Sequence, residues 1–96
     1  MAIQIKYDGG VYEINGLLNS QNVESLKNHF EALIDDSKGV VISLNKVLEI
    51  DSNAVNIIAS LHKKAWLSDK MFYIIGMKNK KVNELFTSLN LDGILL

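Results

Sequence analysis

Cysteine, proline and arginine are all missing from these 96 residues. Without cysteine there is no disulfide, no thiolate nucleophile and no cysteine-ligated zinc. Without proline, nothing obstructs a compact chain of short connections. Without arginine, the side chain that usually reads bases in pairs of hydrogen bonds is gone. Ten lysines against eleven acidic residues leave a formal net charge of −1, whereas nucleic-acid binding needs a clustered positive surface. Long apolar runs are absent too. None approaches the ~20 residues that span a bilayer, so membrane insertion is not expected. The start, Met1-Ala2-Ile3-Gln4-Ile5-Lys6, has neither the basic opening nor the apolar stretch of a signal peptide. A cytoplasmic location is the expectation.

Nearly half of the residues are apolar, enough for one core, and no linker or repeat divides the chain. Residues 1–96 are therefore expected to form one domain. Ile3-Gln4-Ile5-Lys6-Tyr7 and Val11-Tyr12-Glu13-Ile14 alternate apolar and polar around Asp8-Gly9-Gly10. That pattern predicts a hairpin over residues 3–14, closed by Asn15-Gly16. Val23, Leu26, Phe30 and Leu33 mark one face of a first helix, with Ser20 as its candidate N-cap. Gly39 to Leu44 reads as a strand buried on both faces except at Ser43. Ala54, Ile57, Ile58, Leu61 and Ala65 outline a second helix, and Met71 to Ile75 a second buried strand. Asn79 can cap a third helix with Val82, Leu85, Phe86 and Leu89 inward, and Asn90 suits the left-handed residue after it. Ile94-Leu95-Leu96 is expected as a last short strand. The fold class is α/β, in the order ββαβαβα(β): a four- or five-stranded mixed sheet with three helices on one face.

Catalytic chemistry is hard to place. His29 and His62 lie on different predicted helices, with no carboxylate in ligand spacing. Neither Gly9-Gly10 nor Gly76-Met77-Lys78 has the spacing of a phosphate loop, and no serine sits in a G-x-S-x-G turn. Lys78, Lys80 and Lys81 crowd the start of the third helix, where solvation explains them adequately. No metal, no cofactor and no enzymatic activity are expected.

The informative stretch is Leu48-Glu49-Ile50-Asp51-Ser52-Asn53-Ala54, between a buried strand and the second helix. Serine and acidic residues are both favourable at helix starts, by about 0.3–1 kcal/mol for the charge, so Asp51-Ser52 on its own satisfies a capping role. The same position would also hold a hydroxyl at one end of the sheet, where an added phosphate meets free N–H groups and the positive end of the helix dipole.

Nearly the whole chain resembles the STAS family, best known from anti-sigma-factor antagonists. Gly16-Leu17-Leu18-Asn19 is similar to that family's G-E-L-D segment, with Leu17 and Asn19 in place of the acidic pair. Val40-Val41-Ile42-Ser43-Leu44 and the run to Asp51-Ser52-Asn53-Ala54 resemble its V-V-L-D-L…D-S-S-G segment, with Asn53 for the second Ser and Ala54 for the Gly. Gly76 to Leu91 is similar to its last helix and following turn. The resemblance implies a non-catalytic regulatory domain in which Ser52 accepts phosphate from a partner kinase. That partner would be an anti-sigma factor, met by Asn19, Asp51, Ser52, Asn53 and Ala54, and released on phosphorylation. It also implies an alternative, a subunit bound to the ATPase of a lipid-trafficking ABC transporter, with Ser52 unmodified. The apolar end, Ile94-Leu95-Leu96, is a further candidate contact for a partner or for a weak homodimer.

Overall fold

A computed structural model describes residues 3–96. Gly9 and Gly10 both take positive φ, 57° and 88°, the conformation that two-residue hairpin turns require. They join β1 (Gln4–Asp8) to β2 (Val11–Leu18) antiparallel, with Ile5 opposite Ile14 and Tyr7 opposite Tyr12. The two tyrosine rings lie 4.5 Å apart. β2 does not stop at Asn15-Gly16, as the turn-like dipeptide suggested. Gly16 sits at φ 110°, the register shifts there, and the strand continues to Leu18 with a new neighbour. Its first half pairs in parallel with β3 (Gly39–Ser43) and its second half, also in parallel, with β4 (Val47–Ile50). β5 (Met71–Ile75) lies parallel on the far side of β3. The result is a five-stranded mixed sheet, ordered β1-β2-β3-β5 with β4 on β2.

Helices α1 (Val23–Asp36), α2 (Ser52–Leu67) and α3 (Lys80–Ser88) pack side by side, α2 against both others. They cover one sheet face. Strand alternation sends Ile14, Leu18, Val40, Ile42, Phe72 and Ile74 into the core, where they meet Leu26, Phe30, Ile58, Leu61 and Phe86. The opposite face is open: Met71 and Tyr73 are exposed and Val41 is half-buried. β3 and β5 are thus buried on one face rather than two. Ser43, expected as the solvent-facing residue of β3, is instead buried, its Oγ accepting from the Asn45 N–H at 3.3 Å.

Asn79 holds the far end of the sheet together. Its Oδ1 accepts from the Val82 N–H at 3.4 Å, capping α3, while its Nδ2 donates to the carbonyls of Leu44 (3.0 Å) and Val47 (2.8 Å). Asn90 is left-handed, at φ 59°. The chain end differs from the expected strand. Asp92–Ile94 is a 3-10 turn, and only Leu95 makes a bridge, to Ile74. Leu95 is buried and Ile94 half-buried, leaving the side chain of Leu96 as the exposed member of the apolar trio. Of the three residues, Leu95 belongs to the core and Ile94 packs against it.

Candidate functional site

Two loops meet beyond the carboxyl ends of β2 and β4. The Asp51 N–H donates to the Leu18 carbonyl at 3.2 Å, extending the ladder by one residue. Asp51 stays extended (φ −109°, ψ 170°), then the chain turns into α2. Its carboxylate does two jobs. Oδ1 accepts from the Ala54 N–H at 2.9 Å, which caps the helix, while Oδ2 accepts from the backbone N–H and the hydroxyl of Ser20, at 3.2 and 3.3 Å. The Asn53 amide reaches the same hydroxyl at 3.5 Å. One carboxylate thus fixes the start of α2 against the loop that leads into α1.

That loop is braced from within. Asn22 Nδ2 donates to the Leu17 carbonyl at 2.6 Å, and Asn22 Oδ1 accepts from the Asn19 N–H at 3.0 Å. Asn19 Oδ1 accepts from the Gln21 N–H at 2.9 Å. Asn22, not Ser20, occupies the N-cap position of α1, and its side chain makes no cap bond. Ser20 is drawn away because Asp51 offers its N–H and hydroxyl an ionised acceptor, a stronger partner than a neutral one.

The cap of α2 is Asp51, and Ser52 is the helix's first residue. Ser52 and Asn53 are exposed, Asn19 and Asp51 half-buried. Ala54, expected among the partner-facing residues, is enclosed in the core. What it lends the site is its N–H, bound to Asp51. Ser20 belongs to the cluster although its sequence signal pointed to a cap. The hint was the run Asn19-Ser20-Gln21-Asn22, more polar residues than one helix start needs. Among the described residues the Ser52 hydroxyl has no hydrogen-bond partner, in contrast to Ser20. The N–H groups of Ser52 and Asn53 precede the first intrahelical bond, made by Val55 to Asp51 at 3.1 Å, and have no partner among the described residues.

Beside this cluster, β4 and α3 flank an open depression of about 410 Å³, bordered by Glu49, Ile50, Lys81 and Leu85. Lys81 Nζ lies 2.6 Å from Glu49 Oε1 across it. His29 stacks edge-on to Phe30 on α1 and His62 lies on α2. Among the described residues no three His, Asp or Glu side chains are grouped to hold a metal ion, and no helix is long and apolar enough to cross a membrane.

A family model described as the STAS domain matches residues 1–95. The chain belongs to the STAS family. Solved structures show the same fold. The anti-sigma factor antagonist SpoIIAA in its unphosphorylated form superposes with a TM-score of 0.78 at 14% identity, covering 99% of this chain and 86% of that one. The phosphorylated form of the Bacillus cell fate determinant SpoIIAA gives 0.70 at 13%, covering 99% and 89%. An anti-sigma factor antagonist from Mycobacterium paratuberculosis gives 0.71 at 20%, covering 98% and 83%. No curated protein sequence matches. In this STAS domain the strand–Asp51-Ser52–helix junction therefore stands on the family's five-stranded mixed sheet with three helices.

Proposed function

We propose that this STAS domain is a non-catalytic switch of the anti-sigma-factor-antagonist kind, which binds a partner kinase or anti-sigma factor through the Ser52 face and lets go when Ser52 is phosphorylated. The observation that carries the reading is the division of labour between neighbours. Asp51 does the capping, both its oxygens engaged, while the Ser52 hydroxyl is exposed and free. A residue with no structural duty can be modified without unmaking the fold.

The chemistry follows from the place. A phosphate on Ser52 lies at the positive end of α2, beside the unpaired N–H groups of Ser52 and Asn53. It brings about −1.5 to −2 charges. Lys81, across the neighbouring depression, is already paired with Glu49. The added charge therefore faces outward beside Asp51, Ser20 and Asn53, and a partner surface matched to a neutral hydroxyl has to desolvate or oppose it. Unphosphorylated, the face offers the short polar groups of Asn19, Ser20, Ser52 and Asn53 around the Asp51 carboxylate, a surface for complementary hydrogen bonds. No step in this function needs a cofactor, a metal or turnover by the domain.

Affinity capture of the native protein from its own cells, with intact-mass measurement and peptide mapping, tests the reading. A captured ATP-binding serine kinase and a single phosphate on Ser52 support it. Phosphate at another residue, or a captured transporter ATPase with Ser52 unmodified, replaces it.

A further inference from the structure

The end of the molecule away from Ser52 carries apolar surface that the switch does not use. α2 turns Ala54, Ile58, Leu61 and Ala65 inward, so Trp66, one residue past that stripe, is rotated out of the core. It is the chain's one tryptophan, and it is 73% exposed; its neighbour Leu67 is 68% exposed. Met71 and Tyr73, on the open sheet face, are 53% and 46% exposed, with the Tyr73 hydroxyl 3.3 Å from the Met71 sulfur. Between helix end and strand lies a cavity of about 480 Å³ bordered by Trp66, Leu67, Asp69, Lys70 and Met71. Asp69, left-handed at φ 57°, ends the helix at this rim. Fourteen residues of α-helix, about 21 Å, separate Trp66 from Ser52.

We propose that this patch is the interface of a weak, two-fold homodimer. Two observations select a second copy of the chain as the occupant. The cavity combines apolar walls, Leu67 and Met71, with one carboxylate, Asp69; an indole placed there would bury its ring and give its N–H an acceptor, the need of a buried tryptophan. The exposed indole that fits stands at the cavity's own edge, so a two-fold contact sends each Trp66 into the other copy's site. Two partly exposed rings, of about 150–250 Å² each in full, and two partly exposed aliphatic side chains offer together on the order of 500 Å² per copy. Two copies bury about 1,000 Å², the lower limit of a specific interface. A dissociation constant on the order of 100 µM is expected for so small a contact.

Sedimentation equilibrium of the full chain, from about 5 to 500 µM to bracket that constant, tests this together with intrinsic fluorescence, because the one tryptophan reports on the patch. The parent should rise from 10.7 kDa toward twice that mass while its emission shifts to the blue. Trp66→Ala and, as a second variant, Leu67→Asn should stay monomeric with melting temperatures near the parent's. Asp69→Ala should dimerise several-fold more weakly, and Ser52→Asp as well as the parent, which separates this surface from the switch. A parent that remains monomeric throughout, or a dimer that survives both Trp66→Ala and Leu67→Asn, overturns the proposal. A blue shift produced by anionic vesicles with the parent still monomeric overturns it in favour of a lipid surface.

Discussion

At the residue scale, Asp51 and Ser52 are neighbours with different duties, and substitution should separate them. Asp51→Ala removes the bond to Ala54 and both bonds from Ser20. A loss of about 1–2 kcal/mol in urea unfolding is expected, the upper range for a cap. Ser52→Ala removes a hydroxyl that has no partner among the described residues and should stay within about 0.5 kcal/mol of the parent. Gly76 is the other sensitive position. A methyl there would sit 3.0 Å from Leu95 Cδ1 and 3.1 Å from Val82 Cγ1, so Gly76→Ala should cost about 1–3 kcal/mol by overpacking. Sequence pattern alone could not divide Asp51 from Ser52, because either is a good cap. The deciding contact comes from Ser20, 31 residues away.

At the element scale, the helices were legible because each repeats apolar residues at helical spacing, and Asn79 and Asn90 sit where the third one begins and ends. β4 was not. It has four residues, two of them, Leu48 and Glu49, exposed in succession, so no alternation marks it. Its strand character comes from pairing with β2 beyond Gly16, a contact the local pattern does not contain. The chain end misled for a related reason, since three apolar residues read as a strand or a contact surface, whereas Leu95 fills the core. Leu95→Ala should therefore lower stability by about 2–4 kcal/mol. Asn79→Asp keeps the capping oxygen but loses the amide that binds Leu44 and Val47; a loss of about 1–3 kcal/mol is expected, since buried acceptors go unmet. α1 and α2 are clasped by Glu31 and Lys64. The hydrogen bond from Lys64 holds the Glu31 carboxyl below its ordinary 4.5, and the same bond raises Lys64 above 10.5. The depressed carboxyl contributes fully above its unfolded value and loses that contribution as pH falls through the folded one; the raised amine loses its share only as pH climbs through its own. The melting-temperature difference between parent and Glu31→Gln should thus be steady around neutrality and shrink in acid.

At the scale of the whole molecule, one helix separates the two proposed surfaces. Its N-terminus carries Ser52, the proposed switch residue, and its C-terminus the apolar patch, so phosphate at one end is expected to leave the other unchanged. Net charge is only −1, and about −1.5 to −2 more on Ser52 alters the molecule's field chiefly at that end. The fold itself should not resist, because a negative group at a helix N-terminus is favourable by about 0.3–1 kcal/mol. The most direct test is calorimetric titration of the captured partner with the parent, Ser52→Ala and Ser52→Asp. The account predicts that Ser52→Ala binds like the parent. It predicts that Ser52→Asp, with a melting temperature near the parent's, binds at least about tenfold more weakly, a difference of ~1.4 kcal/mol. Equal affinity for Ser52→Asp and the parent would contradict it.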